Sequence, residues 1–161
     1  MEIEMTIQRL LIDPITNMPI IVLRDQEGDR ILPIWVGVFE ANAFALQIEN
    51  VETPRPMTHD LLKEMVAALG GLVERIVVSE LKENTFYATI HVGTPRGAVV
   101  VDARPSDAIA LALRTRSKIF VDEAVIQSAR SVEMSRDPMD IGRLQKWLEG
   151  LSDDELGKYK M

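Results

Sequence analysis

The sequence predicts an α+β fold, in which helices pack on mixed or antiparallel sheets. Segments typical of strands arrive in runs of three, helix-like segments follow them, and this order occurs twice along the chain. In the first strand Ile3, Met5 and Ile7 alternate with polar residues, as in a half-buried strand. In the first helix the period changes, and Phe44 and Ile48 fall at helical spacing. These two patterns together indicate the fold class.

The first half predicts strands at 3–7, 19–23 and 30–36, followed by helices at 39–49 and 58–69. Pro33 cannot donate a ladder hydrogen bond, so the third strand is expected at a sheet edge or to end there. Thr58 is expected to cap the second helix, and Asp60 lies in the first turn, where the helix dipole favours a carboxylate. Gly70 and Gly71 are expected to end that helix.

The second half predicts strands at 72–82, 85–92 and 99–101, a helix through 108–114, a strand at 119–121 and a helix at 122–129. The run Val99–Val101 is short, apolar and β-branched, which predicts a buried strand. Both halves start a helix with Arg-Pro, a hydroxyl residue and an acid, at 55–60 and at 104–107. Helix starts favour these residue types in any case, so a duplicated βββα unit stays an open alternative.

Composition limits the kinds of protein that fit. We expect one domain over residues 1–130 and a linker with a C-terminal helical tail over 131–161. The tail has an amphipathic segment at 141–148 but too few apolar residues to fold alone, so we expect it to dock on the domain or on a partner. With no cysteine there is no disulfide framework or thiolate metal site. With no long apolar run or leader, we expect a cytoplasmic protein without membrane association.

The formal net charge of −7 argues against binding nucleic acid through bulk positive charge. It leaves open an enzyme that meets nucleic acid at a local arginine patch or at a metal ion. Aromatic content is low, so platforms that stack single-stranded bases are scarce.

A cluster of charged residues lies where the strand at 99–101 gives way to an apolar helix. It contains Asp102, Arg104, Ser106 and Asp107. Two carboxylates suit a hard divalent cation such as Mg²⁺ or Mn²⁺, and an arginine suits an anionic substrate. Arg114 lies seven residues after Asp107, hence on the same helical face. The alternative is a capped helix with a local Asp–Arg pair.

A second cluster precedes and opens the helix at 58–69, with Arg55, His59 and Asp60. Histidine side chains exchange protons near neutral pH and bind metals, so His59 is a candidate general base or metal ligand. The alternative is a surface histidine in the first turn of a helix. Glu40 begins the first helix, where the dipole alone favours an acid, and an active-site role is the other interpretation.

Three strings, LPIWVGVFEANAFAL, PRPMTHDLL and VDARPSDAIALALR, resemble the bifunctional nuclease domain family. The resemblance covers about residues 1–130. It implies an α+β domain with a duplicated unit, and nuclease action on both DNA and RNA.

Residue chemistry applied to these strings gives a metal-assisted phosphodiesterase as the leading hypothesis. Asp102, Asp107 and Glu40 would hold a divalent ion of Mg or Mn, and His59 or Asp60 would orient or deprotonate water. Phosphate would contact a third set of side chains: Arg55, Arg104, Ser106 and Arg114.

The rival hypothesis is a non-enzymatic binding or assembly protein, in which the same residues form a structural polar network or a homodimer interface. The acidic net charge favours this rival. It would be established if Asp102, Arg104, Asp107 and Arg114 were buried and paired with one another, with no cleft beside them. A small-molecule or anion sensor is a third possibility and requires a pocket beside the arginines.

Overall fold

The structure is a computed structural model that describes residues 1–135, with side chains described as far as Ala129. Seven strands and four helices follow one another in this part of the chain. They are β1 (Glu2–Ile12), β2 (Pro19–Asp25), β3 (Ile31–Trp35), α1 (Val38–Ile48), α2 (Thr58–Ala68), β4 (Leu72–Lys82), β5 (Thr85–Thr94), β6 (Gly97–Ala103), α3 (Pro105–Thr115), β7 (Lys118–Asp122) and α4 (Glu123–Ser135).

All seven strands form one mixed sheet in the order β3-β2-β1-β7-β4-β5-β6. Strands β1–β3 and β4–β6 are two antiparallel meanders. The short strand β7 lies between them, antiparallel to β1 and parallel to β4. The predicted α+β class is confirmed.

Helix α3 is the centre of the helical layer. It packs between α1 and α2 and contacts β4, β5 and β7. The run Ala108–Ala112 is at most 1% exposed. Three of its five residues are alanines, whose small side chains let the neighbouring helices and the sheet approach closely. The packing of α3 therefore fixes the positions of the charged residues at its two ends, Arg104 and Asp107 at the start and Arg114 near the end.

The two edge strands differ in how they meet solvent. Pro33 lies in β3, an edge strand, as its missing N–H group predicts. At the other edge Val99, Val100 and Val101 of β6 are 45%, 57% and 46% exposed. The prediction that this strand is buried is therefore wrong. Strand β6 is the outermost strand, and helix α3 packs on β4 and β5 instead.

Two helix boundaries differ from the predicted ones. Helix α2 begins at Thr58 with Met57 at its N-cap position, and the Asp60 carboxylate accepts the Met57 N–H at 3.0 Å. The Asp60 carboxylate, rather than the predicted cap Thr58, therefore accepts a hydrogen bond from the free backbone N–H at the N-cap. Helix α4 continues to Ser135 through part of the predicted linker, and the tail helices predicted after it lie outside the described residues. Within residues 1–135 no helix is long and apolar enough to cross a membrane.

Candidate active site at the start of helix α3

The first turn of α3 is built to present charged side chains. Arg104 occupies the N-cap position with extended backbone angles, and Pro105 follows at the first helical position. Proline suits this position because its fixed φ is helical and its missing N–H would have no helical partner. Asp107 then falls in the first turn, where the positive end of the helix dipole favours its carboxylate.

Four side chains from three helices meet there and form the N-terminal network. Asp107 Oδ1 lies 3.0 Å from His59 Nε2, and Asp107 Oδ2 accepts a hydrogen bond from Arg104 Nε at 2.8 Å. A terminal nitrogen of Arg104 forms an ion pair with Glu40 Oε1 at 2.9 Å. The network therefore ties α1, through Glu40, and α2, through His59, to the start of α3.

Exposure differs widely within the N-terminal network. The Arg104 side chain is 67% exposed, whereas those of Glu40 and His59 are only 14% and 11% exposed. Burial alone would raise the pKa of Asp107, but its bonds to Arg104 and His59 outweigh burial and lower that pKa. The Asp107 bond, with help from Glu40, raises the pKa of Arg104. The network thus offers solvent one accessible cation backed by an ionised carboxylate.

Gly37 makes room for the Glu40 side chain and was not among the predicted site residues. It occupies the N-cap of α1, and a Cβ built on it would overlap Glu40 Oε2. The sequence does hold a signal for this arrangement. A small N-cap residue followed three positions later by a glutamate is a common way for a helix to begin.

Arg114, near the C-terminal end of α3, forms the second network. Its Nε donates to Asp60 Oδ1 at 2.7 Å, and its terminal nitrogens donate to the carbonyls of Ala110 at 2.9 Å and Ala43 at 3.1 Å. The Arg114 side chain is 3% exposed. This guanidinium binds α1, α2 and α3 to one another, so its groups are engaged within the protein rather than with solvent. The Ala43 carbonyl has no side-chain signal by which sequence reasoning could have found it.

Asp60 is held ionised by this contact. Burial would raise its pKa, but the Met57 N–H and the Arg114 guanidinium outweigh burial and lower it.

An open cleft of about 400 Å³ adjoins the Asp60–Arg114 pair. Arg55 is exposed in the loop before α2 and lines this cleft together with Lys63. The remaining lining residues are Gln47, Val51, Glu52, Thr53, Pro54, Pro56 and Glu64. The predicted phosphate contact Arg55 therefore lies at the cleft, on the side of Asp60.

Asp102 is not brought together with Asp107. In the β5–β6 register it pairs with Thr89, whereas the neighbouring Ala88 and Ile90 belong to the core beneath the helices. Because side chains alternate across a strand, Asp102 points to the opposite face of the sheet. Ser106 is 8% exposed at the start of α3.

The residues predicted to hold a divalent metal do not fit a preformed metal centre. Of the three, Glu40 and Asp107 both bind Arg104, and Asp102 lies across the sheet. Within residues 1–135 no group of three or more potential ligands is assembled. A metal ion could reach Glu40 and Asp107 only where the Arg104 side chain had moved away.

Comparison with known proteins agrees with the resemblance. An uncharacterised protein of Mycobacterium tuberculosis (strain H37Rv) is 46% identical over 113 residues, which cover 70% of this chain and 67% of that protein. Rice bifunctional nuclease 2 (Oryza sativa subsp. japonica) is 32% identical over 124 residues, 73% of this chain and 38% of that protein. Arabidopsis thaliana bifunctional nuclease 1 is 32% identical over 114 residues, 68% of this chain and 35% of that protein. The match thus covers little more than a third of these plant proteins.

The sequence profile of the bifunctional nuclease domain matches residues 21–134. This range includes every residue of the N-terminal network and of the Arg114 network. The chain therefore belongs to the bifunctional nuclease domain family.

Proposed function

We propose that this protein is a nuclease that hydrolyses phosphodiester bonds in both DNA and RNA. Membership of the family and the names of the plant relatives support the activity and the two substrates. The observation that carries the proposal is the His59–Asp107 pair, 3.0 Å apart, beside the exposed guanidinium of Arg104. A base, the carboxylate that orients it and a phosphate-binding cation are thereby within one network.

In this proposal His59 removes a proton from the attacking water. Asp107 accepts a hydrogen bond from Nε2, which places the ring proton there and leaves Nδ1 as the basic nitrogen. The water oxygen attacks phosphorus, and the bond from phosphorus to the leaving sugar oxygen breaks. That oxygen takes up a proton from solvent, and the protonated His59 releases its proton to solvent. Arg104 binds the phosphate and offsets the charge that builds on its oxygens.

Glu40 competes with the substrate for Arg104. It shares the guanidinium with Asp107, so a bound phosphate would have to displace Glu40 from its 2.9 Å contact. Asp60 and Arg114 have a positioning role in this scheme, because they fix the start of α2 and with it the neighbouring His59.

A divalent metal remains a separate part of the proposal. Mg²⁺ or Mn²⁺ would take Glu40 and Asp107 as ligands in place of Arg104, and when bound it would activate water and neutralise charge on phosphate. No step above depends on it. A homodimer and a cytoplasmic location likewise stay predictions.

The test is a nuclease assay on single-stranded DNA, double-stranded DNA and RNA. Asp107→Asn, which no longer orients and stabilises the histidine, should lower kcat at least about a hundredfold. Asp29→Asn, purified identically, removes the same charge from an exposed turn and should keep full activity. Equal activity of all three proteins would contradict the proposal and indicate a contaminating nuclease. Each protein is assayed with and without EDTA, which tests the metal independently.

One observation favours the rival, a non-enzymatic assembly protein. Helix α2 buries none of its residues, although it carries several large apolar side chains. The rival would be supported if the purified protein cleaved no nucleic acid with Mg²⁺ or Mn²⁺ supplied. The exposed Arg104 and the open cleft weigh against it, since a purely structural network would bury both arginines.

A further inference from the structure

Among the described residues, no strand covers the outer edge of β6, which is exposed and mostly apolar. Alternate residues of a strand direct their N–H and C=O groups to opposite sides, so about half of these groups in β6 face away from β5. Edge strands in monomeric proteins usually carry a lysine, a proline or a bulge that prevents pairing with another chain. Residues 97–103 contain no lysine or proline, and their register with β5 is unbroken. This edge is therefore able to accept a further strand.

One flank of α2 continues the apolar surface. Leu62, Met65 and Leu69 are 39%, 53% and 77% exposed. At 3.6 residues per turn these three share a flank, opposite to the side of α2 that lines the cleft. Val99 and Val101 lie on the same face of the sheet as the helices, and Val100 lies on the opposite face. With these three edge residues the α2 flank defines the α2–β6 surface.

The two parts of the α2–β6 surface are adjacent. Gly71, just after α2, lies so close to the sheet that a Cβ there would come within 3.0 Å of Val66 and 3.2 Å of Val92. Val92 is the register partner of Val99. The α2 flank therefore borders the side of β6 that carries Val99.

We propose that the α2–β6 surface binds a second copy of this chain through antiparallel pairing of the two β6 strands. A two-fold axis at Val100 sets this residue opposite its counterpart, and Ala98 opposite Asp102 of the partner subunit. An antiparallel edge is self-complementary under such an axis, which is the commonest symmetry of dimers. The axis also brings the apolar α2 flanks of both copies to the same face of the joined sheet.

Charge complementarity favours a second copy and this register. Arg96, in the turn before β6, becomes the diagonal neighbour of Asp102 of the partner subunit, a distance that long side chains span. Both residues are exposed, and neither side chain makes an ion pair within the described part of the chain. Symmetry forms the new pair twice. Centring the axis on Val101 instead would bring the two Asp102 carboxylates towards each other.

The first test is the mass of the 161-residue chain in solution, measured by sedimentation equilibrium. We expect twice the 18.1 kDa of the chain. Val100→Lys places a charge on the axis and should give the mass of one chain, with an unchanged circular dichroism spectrum. Ile15→Lys, at a site 51% exposed in the β1–β2 turn, is the matched control and should stay dimeric. A wild-type protein with the mass of one chain, or a dimeric Val100→Lys variant, would overturn the proposal.

The second test concerns the register. Asp102→Arg and Arg96→Asp should each weaken the dimer about tenfold, since each puts like charges together. The double variant restores opposite charges and should recover the wild-type dissociation constant within about twofold. Additive weakening in the double variant would exclude this pairing.

Site-specific cross-linking gives an independent check of the axis. The chain has no cysteine, so Val100→Cys introduces a single thiol beside its symmetry mate. A short bis-maleimide should link this variant into dimers. Ala98→Cys, whose two copies lie four residues apart along the paired strands, should link poorly. Equal yields from the two variants would rule out an axis at Val100.

Discussion

The two arginines of helix α3, Arg104 and Arg114, have different physical roles. Arg104 and Arg114 lie at opposite ends of α3. Arg104 connects α3 to α1 through Glu40, whereas Arg114 connects it to both α1 and α2. One side chain is 67% exposed and the other 3% exposed. In the proposed function the exposed guanidinium exchanges a carboxylate for a phosphate, whereas the buried one donates to Asp60 and to two helical carbonyls.

Replacing Arg114 should therefore affect stability, and replacing Arg104 should not. Arg114→Gln leaves Asp60 without its cation and removes the hydrogen bonds to the Ala43 and Ala110 carbonyls, which should cost about 2–4 kcal/mol of unfolding free energy. Arg104→Gln should change it by less than about 0.5 kcal/mol, because exposed ion pairs contribute little. Urea unfolding measures both. Similar losses would contradict the assignment of separate roles.

Acid should weaken the junction between α2 and α3. The folded-state pKa of Asp60 and that of Asp107 both lie below the ordinary value for aspartate. Their contribution to stability is therefore complete above the unfolded-state pKa near 4, and it is lost as pH falls through the folded-state values.

Thermal unfolding followed from about pH 6 to pH 3 measures this loss. Asp60→Asn should be less stable than wild type at neutral pH, and its melting temperature should fall less steeply in acid. A variant with the wild-type slope would show that Asp60 does not couple protonation to folding.

At the scale of elements, the turn before α1 determines where Glu40 lies and therefore which partners Arg104 has at the start of α3. Gly37→Ala would drive the Glu40 carboxylate from its place, because the new Cβ overlaps it. Arg104 would then keep only Asp107 as a partner. We expect about 0.5–1 kcal/mol lower stability from the poorer N-cap, together with a lower KM for nucleic acid as Arg104 becomes free. Unfolding and steady-state kinetics measure the two effects, and an unchanged KM would contradict the competition between Glu40 and phosphate.

Local patterns predicted most of the elements, because period-2 and period-3.6 spacing follow from burial of one face. They could not predict which strand becomes an edge. The run Val99–Val101 has the composition of a core strand, and only the order of strands shows that β6 is outermost. The place of β7 beside β4 depends likewise on long-range pairing that leaves no mark in a five-residue segment.

Part of the candidate site could be predicted from residue types alone. Acids, arginines and a histidine at the starts of α2 and α3 indicated the cluster, and the structure brings Glu40, His59, Arg104 and Asp107 together. Residue type and spacing do not distinguish Asp102 from Asp107, because the two acids are only five positions apart. The chain passes from strand to helix between the two, so sheet alternation sends one carboxylate away from the helices.

At the scale of the whole molecule, the sheet depends on a strand that is made late. Strand β7 pairs with β4 through Val78–Val121 and with β1 through Met5–Ile119, residues that are more than a hundred positions apart. Until Asp122 has left the ribosome, the first meander and the second each present an unpaired edge where β7 will sit. The two halves of the protein can therefore close over a common core only after β7 has been made. A nascent chain that stops before residue 118 lacks the strand that joins the two meanders.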